Sequence, residues 1–419
     1  MPGRLRRFFL NSPEWTWLAF GLGLRAAFAL RLGDAYYQTD EHGYASFALH
    51  LTRLGTSGDA PGGPPVPSAL FALGFNLFGA SLLGPRLLQA IVGTFVAAAV
   101  GRATAALTRS REAGRFALAI ACVYPFFIYY GGMLLSETSY LALIVPALAL
   151  IGLGLRAESA SSLAGGGFLL GLAALSRAEA APIGTFVLAS IVAATRTFDA
   201  RALRRLALAA LCWILPIFIW CTRNRVQLGA FALDTHGGIT LLHGTMLFAP
   251  NEIDTAEAMR VFNSSALAAR VRDLPENERD RALMRAGFAW MEEHPALTLE
   301  QWAAKFASFW RFYPRPDKVY EQNKEVANPS GGLSRPVLIL ISLLFEPALI
   351  LGGLAGLWAL RSRRELWPQW AFLLGTMGVH VFSVSQMRYR LPVMPALILG
   401  AATLAARAME PASVQSEKR

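Results

Sequence analysis

The chain has 419 residues, of which 54% are hydrophobic and only 16% carry a charge, and its mean hydropathy is positive. This profile excludes a string of soluble domains and is typical of a protein with several membrane spans. The formal net charge of +11 comes from arginines clustered between apolar stretches, as at 109–115 and 361–364, so it indicates loops beside anionic lipid and not a nucleic-acid surface.

Apolar windows of membrane length predict an all-α polytopic membrane protein with about ten transmembrane helices. They lie near Trp15–Gly33, Ser81–Leu107, Phe116–Gly132, Tyr140–Leu155, Leu163–Leu175, Pro182–Ala194, Leu203–Cys221, Pro336–Leu360, Trp367–Ser383 and Leu391–Ala406. The shorter apolar run Pro67–Phe78 predicts a re-entrant or interfacial helix. The basic leader Arg4, Arg6 and Arg7 places both termini in the cytoplasm.

The predicted spans divide the chain into four parts. Residues 1–221 form an N-terminal transmembrane core, in which residues 34–80 are the first outer loop. Residues 222–335 turn polar and, by parity, form a large and mainly helical region on the outer side. Residues 336–407 form the C-terminal transmembrane helices, and residues 408–419 form a cytoplasmic tail.

An acidic pair, Asp40 and Glu41, follows the first predicted span at its outer end. Carboxylates at the point where the chain leaves the membrane are energetically costly and are often functional. Both side chains are therefore candidates for acid/base catalysis. A structural alternative stays open, because Asp40 or the preceding Thr39 could cap a helix whose apolar face includes Phe47. A cap accounts for one polar side chain and leaves the second carboxylate unexplained.

A second outward acid, Glu137, stands between the third and fourth predicted spans. It either caps the fourth helix or serves the same site as Asp40. The histidines lack the spacing of a zinc site, so no structural metal is predicted, and the sequence requires no cofactor. A Mg²⁺ ion that bridges Asp40, Glu137 and a phosphate fits the chemistry of carboxylate ligands, and the sequence leaves that metal open.

Three short turns on the predicted outer side carry arginines, against the rule that places basic residues inside. They are Ser176–Glu179, Thr222–Arg225 and Gln386–Pro392, and Arg25, Arg31 and Arg86 also lie in the outer parts of their spans. Such exceptions indicate a bound anion, because guanidinium forks match phosphate oxygens. An extended turn before Pro392 would let Arg388 and Arg390 converge on one phosphate. The alternative is snorkelling or pairing with carboxylates such as Glu179.

An amphipathic helix is predicted in the outer region. Residues 297–302 fit a capping box, so the helix is expected to begin at Thr298. The aromatic residues Trp302, Phe306, Phe309 and Trp310 then recur at helical spacing. This stripe, which also carries Lys305, suits a helix that lies on the membrane surface or packs on the spans.

Five short motifs occur in a fixed order along nearly the whole chain. They are Asp40-Glu41 followed by Tyr44, Leu134-Leu135-Ser136-Glu137-Thr138, Ser176-Arg177-Ala178-Glu179-Ala180, Thr222-Arg223-Asn224-Arg225 continuing to Thr235-His236-Gly237-Gly238, and Arg388-Tyr389-Arg390-Leu391-Pro392. Together they resemble bacterial GT-C glycosyltransferases, and especially the branch of protein O-mannosyltransferases and aminoarabinose transferases. The stretch Gly63–Ser68 departs from the Pro-Pro-Gly-Tyr-Pro of many relatives, so the acceptor is not inherited from the resemblance.

The resemblance implies a GT-C-like fold and an inverting transfer of a sugar from a polyprenyl-phosphate donor to a lipid, glycan or protein acceptor. It implies that Asp40 takes the acceptor proton, while Glu137 orients the acceptor or shares the work of the base. Glu41 is the third catalytic candidate. The cations implied to hold the leaving phosphate are Arg388, Arg390, Lys305 and Arg223. Further site candidates are Tyr44, Arg177, Glu179 and His236.

The implied location is the bacterial inner membrane, with the active site facing the periplasm. A rival interpretation is a lipid or glycan transporter, or flippase, of envelope biogenesis, because several spans and intramembrane arginines serve either purpose. Against it, the sequence shows no pair of corresponding broken helices in two halves. A third interpretation is a non-catalytic scaffold, and formation of a donor-dependent product separates all three.

Overall fold

In the computed structural model, the described residues are 12–54, 63–195, 199–246, 262–313 and 335–409. These residues form helices, and no strand occurs among them. The predicted basic leader and all but the first two residues of the predicted tail at 408–419 lie outside the described ranges. The all-α fold class predicted from the sequence is confirmed.

The described residues of the first half of the chain form nine α-helices. They are α1 (Glu14–Leu32), α2 (Thr39–Leu54), α3 (Pro65–Phe78), α4 (Leu83–Thr108), α5 (Arg111–Val123), α6 (Pro125–Gly132), α7 (Glu137–Ala157), α8 (Ala160–Ala174) and α9 (Ala180–Ala194). The predicted first outer loop at 34–80 therefore contains two helices, α2 and α3, which pack against each other.

The second half continues with eight α-helices and two short 3-10 helices among the described residues. The α-helices are α10 (Ala200–Leu228), α11 (Gly237–Gly244), α12 (Ala266–Val271), α13 (Glu276–Glu293), α14 (Pro295–Phe309), α15 (Arg335–Ala359), α16 (Trp367–Phe382) and α17 (Met394–Ala408). The 3-10 helices are Arg364–Leu366 and Met387–Val393. Where it is described, the polar region after α10 is helical, as predicted.

The number of membrane-length helices is smaller than predicted. By length and composition, α4, α7, α10, α15 and the continuous stretch Met387–Ala408 can cross a membrane, and α5 with α6 forms a sixth candidate. The helices α3, α8 and α9 are apolar but have only 14 or 15 residues. A helix of 15 residues is about 23 Å long, which is shorter than a hydrocarbon core of about 30 Å. The predicted count of ten is therefore not confirmed.

The third predicted span, Phe116–Gly132, is broken. The axes of α5 and α6 differ by 46° at Tyr124. Tyr124 has extended backbone angles, and Pro125 begins the next helix. Proline offers no amide hydrogen and disfavours the helical conformation of the residue before it, which explains the break at this position.

Glycines bring several helices into close contact. A Cβ atom at Gly356 of α15 would lie 2.0 Å from the carbonyl oxygen of Gly400 in α17. A Cβ atom at Gly171 of α8 would likewise lie 2.2 Å from the carbonyl oxygen of Trp213 in α10. Small residues at such crossings let helix backbones approach closely, which is how helices associate inside a membrane.

Two predicted boundaries in the outer region need correction. Helix α10 continues to Leu228, so Thr222–Arg225 is helical and does not form a turn. Helix α14 begins at Pro295, three residues before the predicted start, and Thr298 donates its hydroxyl to the carbonyl oxygen of His294. Proline is favoured at the first position of a helix, where its missing amide hydrogen costs nothing, so Pro295 sets the start in place of the capping box.

Candidate active site

Three carboxylates and two arginines form one connected network, which we call the outer network. Arg388 Nη1 lies 2.9 Å from Asp40 Oδ2, and Arg388 Nε donates to Glu137 Oε1. Arg177 Nη1 lies 2.9 Å from the same Glu137 oxygen, and Arg177 Nε lies 2.5 Å from Glu179 Oε1. Acids and bases thus alternate from Asp40 through Arg388, Glu137 and Arg177 to Glu179.

The ends of four structural elements position these side chains. Asp40 lies in the first turn of α2 and Glu137 is the first residue of α7, where the positive end of a helix favours a carboxylate. Arg177 and Glu179 occupy the turn between α8 and α9. Arg388 lies in the 3-10 helix Met387–Val393. The network therefore forms only when these ends meet at one end of the bundle.

Exposure falls steeply along the outer network. The side chain of Asp40 is 54% exposed, that of Arg388 is 12% exposed, and that of Glu137 is 1% exposed. Arg177 is also buried. Asp40 is therefore the member most accessible to a bound molecule. Glu137 and Arg177 are buried, and Glu137 holds Arg388 in position.

The charge state of the buried end is fixed by neighbouring ions. Burial lowers the pKa of Arg177, but Glu179 and Glu137 outweigh this effect and hold that pKa above its ordinary value. Burial raises the pKa of Glu179, but Arg177 and His380 outweigh it and hold that pKa well below its ordinary value. Both groups are charged at neutral pH, so neither is suited to exchange protons there.

Aromatic side chains surround the arginines of the outer network. The guanidinium of Arg177 lies 5.5 Å from the ring centre of Tyr389, which stacks on His380 at 4.5 Å with nearly parallel planes. His380 Nε2 lies 3.5 Å from Glu179 Oε1. His380 and Tyr389 are not among the site residues predicted from the sequence. The signals that could have identified them are a histidine inside an apolar window and a tyrosine between two arginines.

Tyr44 lies beside the outer network, where the sequence had placed it as a site candidate. Its ring meets Phe71 edge-on at 6.2 Å between centres. Burial raises the pKa of Tyr44, and a hydrogen bond with Ser136 together with the charges of Arg177 and Arg388 lowers it by less. The hydroxyl is therefore protonated at neutral pH and can act only as a neutral hydrogen-bond partner.

Glu41 does not reach the outer network, and its predicted catalytic role finds no support in its observed contacts. It is fully buried and pairs with Arg86 at 3.0 Å. It also accepts hydrogen bonds from the backbone amides of Tyr37, Gln38 and Leu134 at 2.6 to 2.9 Å. A carboxylate satisfied in this way holds the chain in place and is not available to a substrate. Glu41 therefore ties the start of α2 to the segment just before α7.

Arg390 points away from Arg388, so the predicted convergence of the two on one phosphate is wrong. The segment Met387–Val393 is a 3-10 helix and not an extended turn. Arg390 is buried, pairs with Glu346 of α15, and donates to the backbone carbonyls of Phe309 and Arg311. In a helix, residues two apart project in different directions, which explains why the two guanidiniums part.

Lys305 also lies apart from the outer network, and its predicted contact with phosphate finds no support in its observed contacts. Its ammonium group is buried and donates to the carbonyl oxygens of Gly244 at 2.6 Å and Phe382 at 3.3 Å. Burial lowers the pKa of Lys305 to about 8. The group joins α14 to the ends of α11 and α16, so its observed contacts are structural.

Arg223 and His236, the two remaining candidates, lie on the elements that lead into the outer region. Arg223 stacks over Trp220 at 4.9 Å and donates to the side chain of Asn224, so the predicted phosphate contact finds no support in its observed contacts. His236 is exposed and precedes α11. The pKa of Asp234, two residues before His236, is raised by burial and then by the charges of Asp280 and Glu179. Asp234 therefore lies close enough to Glu179 for the two charges to interact.

The charged residues of the outer network do not form a metal site. Across the described ranges, no group of three or more His, Cys, Asp and Glu side chains could hold a metal ion. Asp40 and Glu137 both face the guanidinium of Arg388. The position that a bridging Mg²⁺ would need is therefore taken by a cation that belongs to the protein, and these residues do not fit that metal.

Comparisons with known proteins bear on the fold and on the class of protein. Residues 62–220 match the family model described as dolichyl-phosphate-mannose-protein mannosyltransferase. That match includes Glu137, Arg177 and Glu179 of the outer network. None of the curated proteins matches the chain.

Solved structures extend the likeness to most of the chain. The oligosaccharyltransferase of Archaeoglobus fulgidus in its apo form has a TM-score of 0.51 and 12% sequence identity, over 92% of this chain and 50% of that one. The same enzyme tethered to an acceptor peptide has a TM-score of 0.50 and 14% identity, over 92% and 49%. A weaker likeness, with a TM-score of 0.45 and 15% identity over 92% and 77%, is to ArnT from Cupriavidus metallidurans bound to undecaprenyl phosphate.

The two likenesses to the oligosaccharyltransferase define the fold. The chain spans about half the length of the oligosaccharyltransferase chains that it matches. At such low identity the shared feature is the arrangement of helices. The chain has the GT-C fold, and the resemblance to GT-C glycosyltransferases predicted from the sequence motifs is confirmed at that level.

Proposed function

We propose that this chain is a membrane glycosyltransferase that transfers a sugar from a polyprenyl-phosphate donor to an acceptor hydroxyl. The observation that carries the proposal is the exposed carboxylate of Asp40, 2.9 Å from the guanidinium of Arg388, at one end of a GT-C bundle. A base and a phosphate-binding cation side by side are the two groups that this reaction requires. The family match over 62–220 supports the same reaction class.

Asp40 acts as the general base in the proposed reaction. It takes the proton of the acceptor hydroxyl while the acceptor oxygen forms a bond to the anomeric carbon of the sugar. The bond from that carbon to the phosphate oxygen breaks, and its electron pair leaves with the polyprenyl phosphate. Attack from the side opposite the leaving group inverts the configuration of the anomeric carbon.

Arg388 binds the departing phosphate. Its guanidinium has five N–H donors, of which the contacts with Asp40 and Glu137 use two. Charge builds on the phosphate oxygens as the bond breaks, and a fixed cation stabilises that charge more than it stabilises the donor. Because Asp40 is half-exposed, it can turn from Arg388 toward an acceptor when the phosphate arrives.

Glu137, Arg177 and Glu179 position Arg388. Glu137 accepts from Arg388 Nε, which holds the plane of the guanidinium, and Arg177 Nη1 pairs with the same Glu137 oxygen. Glu137 is buried beneath Arg388, so it does not take the acceptor proton. This arrangement favours a supporting role for Glu137 over the shared-base role considered from the sequence.

The proposed setting is the outer face of a bacterial inner membrane. The outer network lies at the start of α7, whereas arginines 156, 205, 363 and 364 lie at the opposite end of the bundle. An excess of arginine is typical of the cytoplasmic side, which supports a periplasmic position for the outer network and a cytoplasmic position for both termini. The proposed acceptor is the hydroxyl of a lipid, glycan or protein that reaches this face.

The test is a transfer assay with purified protein and matched amide variants. Polyprenyl-phosphate-linked hexose, N-acetylhexosamine and aminopentose serve as donor probes, with a membrane extract as acceptor and mass spectrometry as the readout. We expect Asp40→Asn to reduce transfer by about a hundredfold or more while donor binding persists. Asp34→Asn is the control, because Asp34 lies in the same segment but bonds to Ser81 and the Leu82 amide, outside the network.

Two results would count against the proposal. Near-normal turnover by Asp40→Asn would reduce Asp40 to a residue of the first helical turn. Movement of intact donor lipid across vesicles by the wild-type protein, with no released polyprenyl phosphate for any donor, would favour a transporter. Equal losses in Asp40→Asn and Asp34→Asn would point to damage to the segment and not to loss of a base.

A further inference from the structure

A second charged site lies at the end of the bundle opposite the outer network. A cavity of about 520 Å³ lies between the ends of α7, α8, α9 and α10 and the segment before α16. Five arginines and two glutamates line it, which gives a formal charge of +3. The arginines are Arg109, Arg156, Arg205, Arg363 and Arg364. We call this space the arginine cavity.

Four of the five guanidiniums of the arginine cavity are held by hydrogen bonds and have further N–H donors. Arg156, Arg363 and Arg364 each donate Nη1 to a backbone carbonyl, those of Ala106, Thr108 and Ala194 respectively. Arg205 donates Nη1 to Glu158. Each of these contacts uses one nitrogen of a group that carries five N–H donors. Fixed guanidiniums with remaining donors are suited to bind the oxygens of a phosphate.

The wall of the cavity is partly apolar. Leu155, Leu163 and Leu206 line it together with the arginines. Its volume falls in the range of pockets that bind small molecules, about 300–1,000 Å³. A wall with charged and apolar parts suits a molecule with an anionic head and a hydrocarbon chain.

The distance between the two charged sites matches a membrane. Glu137 and Arg156 lie near opposite ends of α7, 19 residues apart, which corresponds to about 29 Å of helix. That length is close to the hydrocarbon thickness of a bilayer, about 30 Å. The arginine cavity therefore lies at the level of lipid headgroups when the outer network lies at the opposite surface.

A smaller cavity at the same end has the same character. It has a volume of about 260 Å³ and lies between α1, α4 and α5, with Arg102, Arg111 and Arg115 in its wall. The end of α4 joins the two regions, since Arg363 of the larger cavity donates to the carbonyl of Thr108. The positive charge at this end is thus concentrated in recesses and not only spread over loops.

We infer that the arginine cavity binds a phosphate ester, the headgroup of an anionic phospholipid such as phosphatidylglycerol. The inference does not rest on the proposed function, because no residue of the outer network lines this cavity. A soluble phosphate ester shares the same chemistry, and the two sources differ in whether acyl chains add to the affinity. Bound lipid would tie α7 and α10 to the segment at 362–365.

The experiment measures lipid binding by the purified full-length protein. Native mass spectrometry and the unfolding midpoint in detergent are recorded with added phosphatidylglycerol, phosphatidylcholine or soluble glycerol phosphate. We expect wild-type protein to prefer phosphatidylglycerol over phosphatidylcholine by about tenfold or more. The double variant Arg205→Gln/Arg364→Gln should lose most of that preference.

The matched control removes the same charge from the same end of the protein. Arg201 and Arg204 are exposed residues of α10 that do not line the cavity, so Arg201→Gln/Arg204→Gln should keep the preference. The single variants Arg205→Gln and Arg364→Gln replace the double variant where it does not give monodisperse protein. Each should lose several-fold of the preference.

The outcomes separate the two sources of phosphate and can overturn the inference. Preference for phosphatidylglycerol that falls only in the cavity variants supports a lipid site. Binding of glycerol phosphate that equals that of the lipid, and that falls in the same variants, supports the site with a soluble ligand. Absence of any preference in wild-type protein, or equal losses in the cavity and control variants, overturns it.

Discussion

Arg388 and Arg390 are two residues apart in the chain, yet they occupy two different kinds of charged region. Arg388 lies in the outer network between the half-exposed Asp40 and the buried Glu137. Arg390 lies in a buried cluster, where it pairs with Glu346 and donates to the backbone carbonyls of Phe309 and Arg311. Tyr124 completes that cluster by donating its hydroxyl to Glu346.

The difference shows what makes a cation available to a substrate. The partner of Arg388 at the open end is a side chain that can move into solvent, so a phosphate can take its place. Every observed partner of Arg390 is a backbone carbonyl or a carboxylate with no exposure. Displacing such partners would leave buried polar groups unsatisfied. The free-energy cost of this exceeds the stabilisation from a new contact with phosphate.

The most disruptive way to test this contrast is to break the buried cluster. Glu346→Ala leaves the charge of Arg390 buried without its carboxylate, and we expect the free energy of unfolding to fall by about 3–5 kcal/mol. Transfer activity per folded molecule should stay within a few-fold of wild type. Thermal unfolding in detergent, together with activity normalised to the monodisperse fraction, measures both quantities.

Glu346→Gln is the matched variant for that prediction. It preserves the shape and some of the hydrogen bonds from Tyr124 and Arg390, so its unfolding midpoint should lie between those of wild type and Glu346→Ala. A large loss of turnover in well-folded Glu346→Gln would show that the buried cluster serves the reaction, and the contrast with Arg388 would fail.

The second prediction is that substitution of Arg388 lowers activity strongly and stability little, the reverse of the pattern expected for Glu346→Ala. We expect Arg388→Ala to reduce kcat/KM by about 10²–10³-fold, the loss seen when one stabilising donor is removed from a developing anion. Arg388→Lys should recover part of the activity, because charge remains while the planar fork is lost. The free energy of unfolding should fall by less than in Glu346→Ala, since Glu137 still pairs with Arg177.

Steady-state kinetics and thermal unfolding of the same preparations provide the test at Arg388. Wild-type turnover in Arg388→Ala would mean that the leaving phosphate is held elsewhere. A fall in stability as large as that of Glu346→Ala would instead place Arg388 in the same structural class as Arg390.

The sequence identified all five members of the outer network because they violate a strong rule. Arginines on predicted outer turns and acids at a membrane exit are conspicuous in an apolar chain, which led to Asp40, Glu137, Arg177, Glu179 and Arg388. The same signal also selected Glu41 and Arg390. It could not separate them, because their partners Arg86 and Glu346 are 45 and 44 residues away and depend on which helices pack together.

The sequence also contained a signal that Glu346 needs a buried partner. Glu346 stands alone in an apolar run, before Pro347, inside the predicted span 336–360. A lone carboxylate at that depth requires a cationic or hydrogen-bonding partner. The predicted count of ten spans is not confirmed for a different reason, because an apolar window shows that a segment is buried and does not show how long its helix is.

The third prediction extends the comparison to Lys305, which like Arg390 is buried against backbone carbonyls. Burial lowers its pKa to about 8, whereas an unfolded lysine has a pKa of about 10.4. Between these values the unfolded state binds more protons, so the free energy of unfolding should rise as the pH rises from about 8 to 10. Lys305→Met should lack this rise.

Denaturation of wild type and Lys305→Met at pH 7.5 and pH 9.5 supplies the measurement. Parallel behaviour of the two proteins across that interval would mean that the ammonium is not desolvated in the folded state. Lys305 would then return as a candidate for binding an anion.

The smallest expected effect concerns Glu179, at the buried end of the outer network. Arg177 and His380 hold its pKa below that of an unfolded glutamate, about 4.3, despite the opposing effect of burial. Its stabilising contribution is therefore complete above that value and is lost as the pH falls below it. Glu179→Gln should be less stable than wild type at pH 7, and the difference should narrow below about pH 4.3.

Unfolding midpoints measured between pH 3 and pH 7 would show this narrowing. A constant difference over the whole interval would mean that Glu179 contributes through its shape and not through its charge. The pH profile of turnover near neutrality should be the same in both proteins, because Glu179 does not titrate there.

Members of the outer network are far apart in the chain, which has a consequence for how the protein is synthesised. Asp40 and Arg388, which are in direct contact, are separated by 348 positions. During synthesis, the segment with Asp40 therefore enters the membrane long before its cationic partner exists. A ribosome that stops just before residue 388 releases a chain that holds most of the helices but lacks Arg388, the proposed phosphate-binding residue. Under the proposed mechanism such a chain is inserted but inactive, and activity arises only late in translation.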